Sequence, residues 1–200
     1  MRVSKIQAEQ NRERVLNLAA RLFRERGFDG IGVAELMKHA GLTHGGFYGQ
    51  FASKEELMAE AIDRAFEQAL AYWQQKARDA EQQTPGSAFD AVVKAYLSTT
   101  HRDRVDEGCV MAALSTDTMR QSRTVRARLT DGFSRFIDSM GGLFRGEPPA
   151  VKRKKALVMT STLVGALMLA RAVEDEALSE EILLTVAQAM LDSHAAFDRF

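Results

Sequence analysis

Few side chains in this 200-residue sequence are arranged for bond-making chemistry. Its four histidines (His39, His44, His101 and His194) are scattered, and none belongs to a His-Glu-x-x-His, Glu-x-x-His, Gly-x-Ser-x-Gly or phosphate-loop pattern. No catalytic residue, metal ligand set or cofactor is therefore expected, and the chain reads as a non-enzyme. The single cysteine, Cys109, excludes an internal disulfide and fits a reducing compartment. It follows Gly108 at the start of a short apolar helix, where the helix dipole and free N–H groups lower a thiol pKa. Asp106 and Glu107 act the other way, so a redox or electrophile sensor and a small buried hydrophobe both stay open for it. The chemistry that does stand out is ionic. The 27 basic and 27 acidic side chains cancel overall, but the first 54 residues hold nine basic and five acidic ones. A balance of +4 there, against −4 in the remainder, suits an N-terminal phosphate-binding module on an acidic body. Overall neutrality excludes a generic polycation.

The elements that position this chemistry are helical throughout. Strand-like alternation is nearly absent, and apolar residues recur at helical spacing from end to end. Val15, Leu18, Ala19, Leu22 and Phe23 form the first stripe, stopped by Gly27. A short helix from about Val33 to Ala40 follows, then a tight Gly41-Leu42 turn. Thr43 is placed to cap a third short helix ending near Phe51. Helix, glycine turn and short capped helix make the layout of a helix-turn-helix unit, the motif covering about 32–51. Leu36, Leu42 and Phe51, helped by Phe23, would brace it. Ser53 and Glu56 then open a long helix in the manner of a capping box. Five further helices follow, broken at Pro85-Gly86, at a charged loop after Leu97, and at Pro148-Pro149. The expected fold is all-α with about nine helices: residues 1–52 as a three-helix domain carrying the helix-turn-helix, and 53–200 as a larger helical body.

Gly27-Phe28, Val33-Ala34-Glu35-Leu36, Ala40-Gly41-Leu42-Thr43, Gly46-Phe47-Tyr48 and Phe51-Ala52-Ser53-Lys54-Glu55-Glu56-Leu57 together resemble the TetR/AcrR family of transcriptional regulators. The resemblance covers roughly residues 11–60; beyond them only the number and lengths of helices match. It implies that Thr43 and His44, at the start of the recognition helix, reach base edges and nearby phosphates, with capping as the alternative role for Thr43. His44 stands where lysine is frequent. By the same resemblance Tyr48 touches a phosphate and Lys54 is the basic residue at the start of the fourth helix; core packing and a solvated charge are the respective alternatives. Phe47 and Phe51 read as packing residues. Gly45, Gly46 and Gly49 depart from the family pattern, each costing ~1 kcal/mol against alanine in a helix. They also let the backbone approach DNA closely. The expectation is a recognition helix loosely ordered when free and firmed by the operator, with specificity from Thr43, His44, Tyr48 and Gln50 and close backbone approach at Gly45 and Gly46.

For the body, the resemblance implies a small-molecule pocket among the fourth to eighth helices and a homodimer through the last two long helices. Phe66, Trp73, Phe89, Tyr96, Cys109, Met111, Phe133, Phe136 and Arg171 are the pocket candidates. Tyr96, His101 and Arg171 are the possible polar anchors, and plain core packing is the alternative for the aromatic and methionine positions. Such a lining suits an apolar or aromatic effector. The stretch 156–173 is mostly apolar behind Lys152-Arg153-Lys154-Lys155, but Thr160, Ser161, Thr162, Gly165 and Arg171 interrupt it. It reads as a helix buried between others, with no membrane partner, and the first 15 residues lack a signal-peptide core. The resulting expectation is a cytoplasmic regulator, most simply a repressor, in which a dimer on a palindromic double-stranded operator is released when a small effector shifts the fourth helix. The competing reading is a helical ligand-binding or scaffold protein without DNA binding.

Overall fold

The computed structural model describes residues 4–197, with side chains described as far as His194; Phe197, expected on the last apolar stripe, has its side chain outside that range. Nine α-helices and one 3-10 turn account for the regular structure among the described residues, with no strand. Ser4 caps α1 (Lys5–Arg26) by accepting from the Gln7 N–H, and Gly27 ends it at φ +74°. α2 (Val33–His39) is closed by Gly41, whose φ of +70° lets the Leu42 N–H return to the Met37 carbonyl at 2.9 Å. α3 (Lys54–Gln83) starts with the reciprocal cap expected of Ser53 and Glu56. Ser53 Oγ accepts from the Glu56 N–H, while the Glu56 carboxylate accepts from the Ala52 N–H, one residue before the cap.

The body continues with α4 (Ala88–Tyr96), α5 (Thr99–Asp103), α6 (Val110–Thr118), α7 (Arg123–Gly141), α8 (Pro149–Ala172) and α9 (Glu176–Phe197). The count matches the nine anticipated, but its make-up differs. The segment expected as a charged loop contains α5, because Ser98 caps it through the His101 N–H. The segment expected as a short third helix is a 3-10 turn, His44–Gly46, followed by further turns. Its bonds run mostly over three residues: Gly46 N–H to Thr43 carbonyl, Phe47 to His44, Gln50 to Phe47. Three glycines in six residues remove the propensity that would carry the turn into an α-helix.

α3 is the axis. It packs against α1 at its start and against α7 and α4 farther on, while α8 lies between α7 and α9. The α3–α7 crossing is close because residue 132 is glycine: a Cβ there would stand 2.0 Å from the Phe66 ring. One apolar core, from Val15 through Phe66 to Ala187, unites the chain. α8 is long and apolar enough to cross a membrane by length and composition, with 39% of its most apolar window buried. Met159, Leu163 and Leu167 face the core, whereas Leu157, Val158 and Leu169 remain exposed. α8 is expected as a helix buried between others; the structure buries one side of it and leaves the other exposed. α9 spends Leu183 and Ala187 on the same core and leaves Leu184 exposed.

Candidate nucleic-acid interface and effector clefts

The N-terminal unit divides its aromatic residues between inside and outside. Phe47 and Phe51 are buried and stacked, ring centroids 5.5 Å apart, on the core formed with Phe23, Leu36 and half-buried Leu42. Tyr48, between them, is 65% exposed. Its ring meets the exposed His44 ring edge-on at 5.9 Å. Core packing is therefore excluded for Tyr48. Thr43 is exposed and, contrary to the capping expectation, its hydroxyl makes no capping hydrogen bond, so it stays available to an outside partner. Gly45 is exposed beside it and Gly46 half-buried behind it. Thr43, His44 and Tyr48 thus form an outward edge carrying hydroxyl and imidazole groups, the kind of groups that bond to base edges and phosphates.

Gln50 and Lys54 stand differently. Gln50 is half-buried with its Oε1 enclosed and unpartnered. Its carbonyl accepts from Arg12 Nε, and Arg12 also pairs with Glu60 at 2.6 Å and lies 4.6 Å over the Phe51 ring. Arg12 is thus a cross-link from α1 to the end of the turn and to α3, a role with no local sequence signal. Lys54 is neither a free surface charge nor an isolated phosphate ligand: its Nζ donates to the Phe28 carbonyl at 2.6 Å. The same residue's N–H donates to Asp117 Oδ2 at 3.3 Å, and Asp117 pairs with Arg120. Phe28, fully buried in the bend between α1 and α2, is held from above by α3 and from the side by the end of α6. Asp117 is a functional candidate that sequence reasoning missed, because nothing local links residue 117 to residue 28.

The pocket candidates do not converge on one cavity. Met111 and Phe133, with Leu129, Thr160, Val164 and Met168, line a cleft of about 470 Å³ between α6, α7 and α8. That volume falls in the range of small-molecule sites. Thr160 is fully buried there with its hydroxyl unpartnered, a polar group the sequence reading noted only as an interruption of an apolar run. Trp73 and Phe89 border a second cleft of about 480 Å³, near His194. Phe66 and Phe136 are core residues lining none of these, Phe66 being seated in the Gly132 notch.

Tyr96, His101, Cys109 and Arg171 form a buried knot. His101 Nε2 accepts from the Cys109 N–H at 3.1 Å, so the proton sits on Nδ1, which donates to the Tyr96 carbonyl at 2.7 Å. Burial lowers the His101 pKa to about 4, against the smaller upward pull of that carbonyl. Arg171 donates to the carbonyls of His101 and Arg102, closing the end of α5. Burial pushes the Tyr96 hydroxyl and the Cys109 thiol up. Cys109 caps α6 through the Ala112 N–H, yet desolvation outweighs its hydrogen bonds, so the thiol is covered and protonated. Of the three anticipated polar anchors, His101 and part of the Arg171 guanidinium are taken up by internal bonds, while the Tyr96 hydroxyl and Arg171 Nη1 are buried without a hydrogen-bond partner among the described residues; the Cys109 thiol is buried beside them.

Comparison with known proteins agrees with this architecture. Residues 15–61 match the family model described as bacterial regulatory proteins, tetR family. Residues 85–189 match the C-terminal domain model of LmrA/YxaF-like transcriptional regulators. An uncharacterized HTH-type transcriptional regulator of Mycobacterium tuberculosis, Rv0196, is 32% identical over 176 residues, covering 82% of this chain and 86% of that protein. The HTH-type transcriptional repressor NemR of Escherichia coli is 28% identical over 124 residues, 60% of each chain. A TetR-family regulator from Agrobacterium tumefaciens superposes with a TM-score of 0.73 at 18% identity, covering 93% of this chain and 98% of the other.

Proposed function

The chain belongs to the TetR family of bacterial regulatory proteins, and we propose that it is a cytoplasmic repressor that binds a palindromic operator as a homodimer and is released by a small apolar or aromatic effector. The observation that carries this reading is the recognition turn: Phe47 and Phe51 anchor it inward while Thr43, His44 and Tyr48 stand outward on a domain of positive charge. Thr43, His44 and Tyr48 make the base and phosphate contacts, with the Gly45 and Gly46 backbone close to the sugar-phosphate chain and Gln50 at the rim. Lys54 sets the angle of the bend at Phe28 and adds its charge to the phosphate field. Two such turns read a palindrome only when a dimer fixes their spacing. The exposed Leu157, Val158 and Leu169 of α8, with Leu178 and Leu184 of α9, supply the apolar face for that dimer.

The effector occupies the α6–α8 cleft, its body against Met111, Phe133 and Met168 and one polar atom on the Thr160 hydroxyl. α6 connects this site to DNA, because Met111 and Ser115 line the cleft and Asp117, on the same short helix, holds the Phe28 N–H. Displacing α6 alters the hold on the bend between α1 and α2, while α3 transmits the matching shift through Lys54. The coupling is a difference in effector affinity between the two arrangements. The test is a footprint of the purified chain on promoter DNA next to its own gene. A protected palindrome, lost steeply with added salt, is the expected result. Absence of protection on that DNA and on palindromes selected from a random pool would favour the competing ligand-binding or scaffold reading, which the lack of a recognition α-helix keeps in view.

A further inference from the structure

A third cleft, of about 570 Å³, lies between α1, α3 and the connection from α4 to α6, and the release mechanism above makes no use of it. One wall is aromatic: the Tyr72 and Trp73 ring centroids are 4.8 Å apart at 81°, and Tyr72 is more than half exposed. The remaining lining is unusually basic. Arg21, Arg24, Lys76 and Arg104 face the cleft, and Glu107 is its single acidic lining residue. Arg21 is taken up by Asp106 at 2.5 Å and Arg104 by Glu107. Arg24 and Lys76 have no carboxylate partner among the described residues. Arg24 is 3% exposed, and its guanidinium donates to three neutral acceptors: the Ala20 carbonyl, the Gly108 carbonyl and Gln68 Oε1. Burial lowers its pKa to about 10, partly offset by the charge of Asp106, so it is charged at neutral pH; Asp106 is itself paired with Arg21. A buried cation that only shares a counter-charge with a neighbour is costly, and an anion entering the cleft would supply its own.

We propose that this cleft binds a small aromatic carboxylate, its ring against Tyr72 and Trp73 and its carboxylate among Arg24, Lys76 and Arg104. Size, aromatic wall and a buried arginine that only shares its counter-charge coincide in this cleft. Inorganic anions would use only the charge, and neutral aromatics only the wall. The site is separate from the α6–α8 cleft and does not depend on DNA binding. It also adjoins α1, so occupancy would be felt by the helix that carries Arg12 to the recognition turn.

Trp73 is the only tryptophan in the chain and borders the site, so its fluorescence reports entry. The experiment titrates the full chain with biphenyl-4-carboxylate, with biphenyl-4-methanol and with inorganic phosphate, by fluorescence and calorimetry. The carboxylate is expected to bind about tenfold tighter than the alcohol, from one charge-assisted contact, and phosphate more weakly than the carboxylate. The variants Lys76→Met and Arg104→Gln change exposed side chains, and neither residue lines the cleft near Phe89 that Trp73 also borders. With folding verified by circular dichroism, the double variant should lose most of the tenfold preference. Equal affinity for acid and alcohol, an unchanged preference in the double variant, phosphate binding as tight as the carboxylate, or no binding of either aromatic each overturns the proposal.

Discussion

Replacing Gly45 and Gly49 with alanine tests whether glycine is what keeps the recognition segment from forming an α-helix. Neither has a positive φ. A Cβ on Gly45 meets nothing within 4 Å, and one on Gly49 comes no closer than 3.7 Å to the Gly46 carbonyl oxygen. The substitutions therefore introduce no clash, and their effect is the change in helix propensity, about 1 kcal/mol per residue. Two together are worth about 2 kcal/mol, or about 30-fold in the equilibrium between helical and open forms of the segment. Amide hydrogen exchange over residues 43–51 reads that equilibrium in the free protein. The doubly substituted chain should show protection rising by about ten- to thirtyfold there, with α7 and α8 unchanged as internal controls. Protection that stays level would refute the reasoning, because some constraint other than glycine would then set the turn. Gly41 must be left alone, since its φ of +70° closes α2.

Three further outcomes follow from the contacts described. Lys54→Met should lower unfolding stability by about 1–2 kcal/mol even without DNA, since it removes a charged donor from the Phe28 carbonyl; a denaturation midpoint equal to the parent would return Lys54 to a purely electrostatic role. Asp117→Ala should leave effector binding in the α6–α8 cleft near the parent value while reducing effector-driven release of operator several-fold, read by anisotropy; full release in the variant would remove α6 from the coupling route. His101, whose pKa burial lowers from 6.5 to about 4, takes up its proton in the unfolded chain first. Stability should thus fall as pH drops from about 6.5 towards 4, by up to ~3 kcal/mol, and gain nothing from this group above that window. Urea midpoints across the window for the parent and for His101→Gln check it, the variant being expected to show a shallower slope.

The helices were legible where the signals are local: the first apolar stripe, the Ser53–Glu56 cap and the breaks at Pro85-Gly86 and Pro148-Pro149 each act within a turn or two of chain. The outward position of Tyr48 between inward Phe47 and Phe51 was legible too, through the family resemblance. The recognition segment is expected as a short helix loosened by three glycines; the structure gives a 3-10 turn with further turns there, the direction in which the glycine propensity cost acts. Most of what organises the clefts was hidden for a different reason. Asp117 reaches Phe28 across 89 residues, and Arg24 reaches Gly108 across 84. Phe66 was a reasonable pocket residue by type, and only the missing Cβ of Gly132 on the opposing helix makes it core. Tyr96, Cys109 and Arg171 likewise carry no sequence signal of their neighbours, because the bonds that the Tyr96 carbonyl, the Cys109 N–H and the Arg171 guanidinium make to His101 arise only when folding brings them together.

The central claim is that two recognition turns are held at a fixed separation by a dimer built on α8 and α9. It is tested most directly by titrating the protein against its selected palindrome and against the same half-sites spread by about five base pairs, half a helical turn. Binding of one dimer to the native spacing, with at least a hundredfold loss on the spread duplex where the two half-sites face opposite sides, is what the account predicts. Equal affinity for the two duplexes would contradict it, showing that the turns, if they read DNA, do so independently.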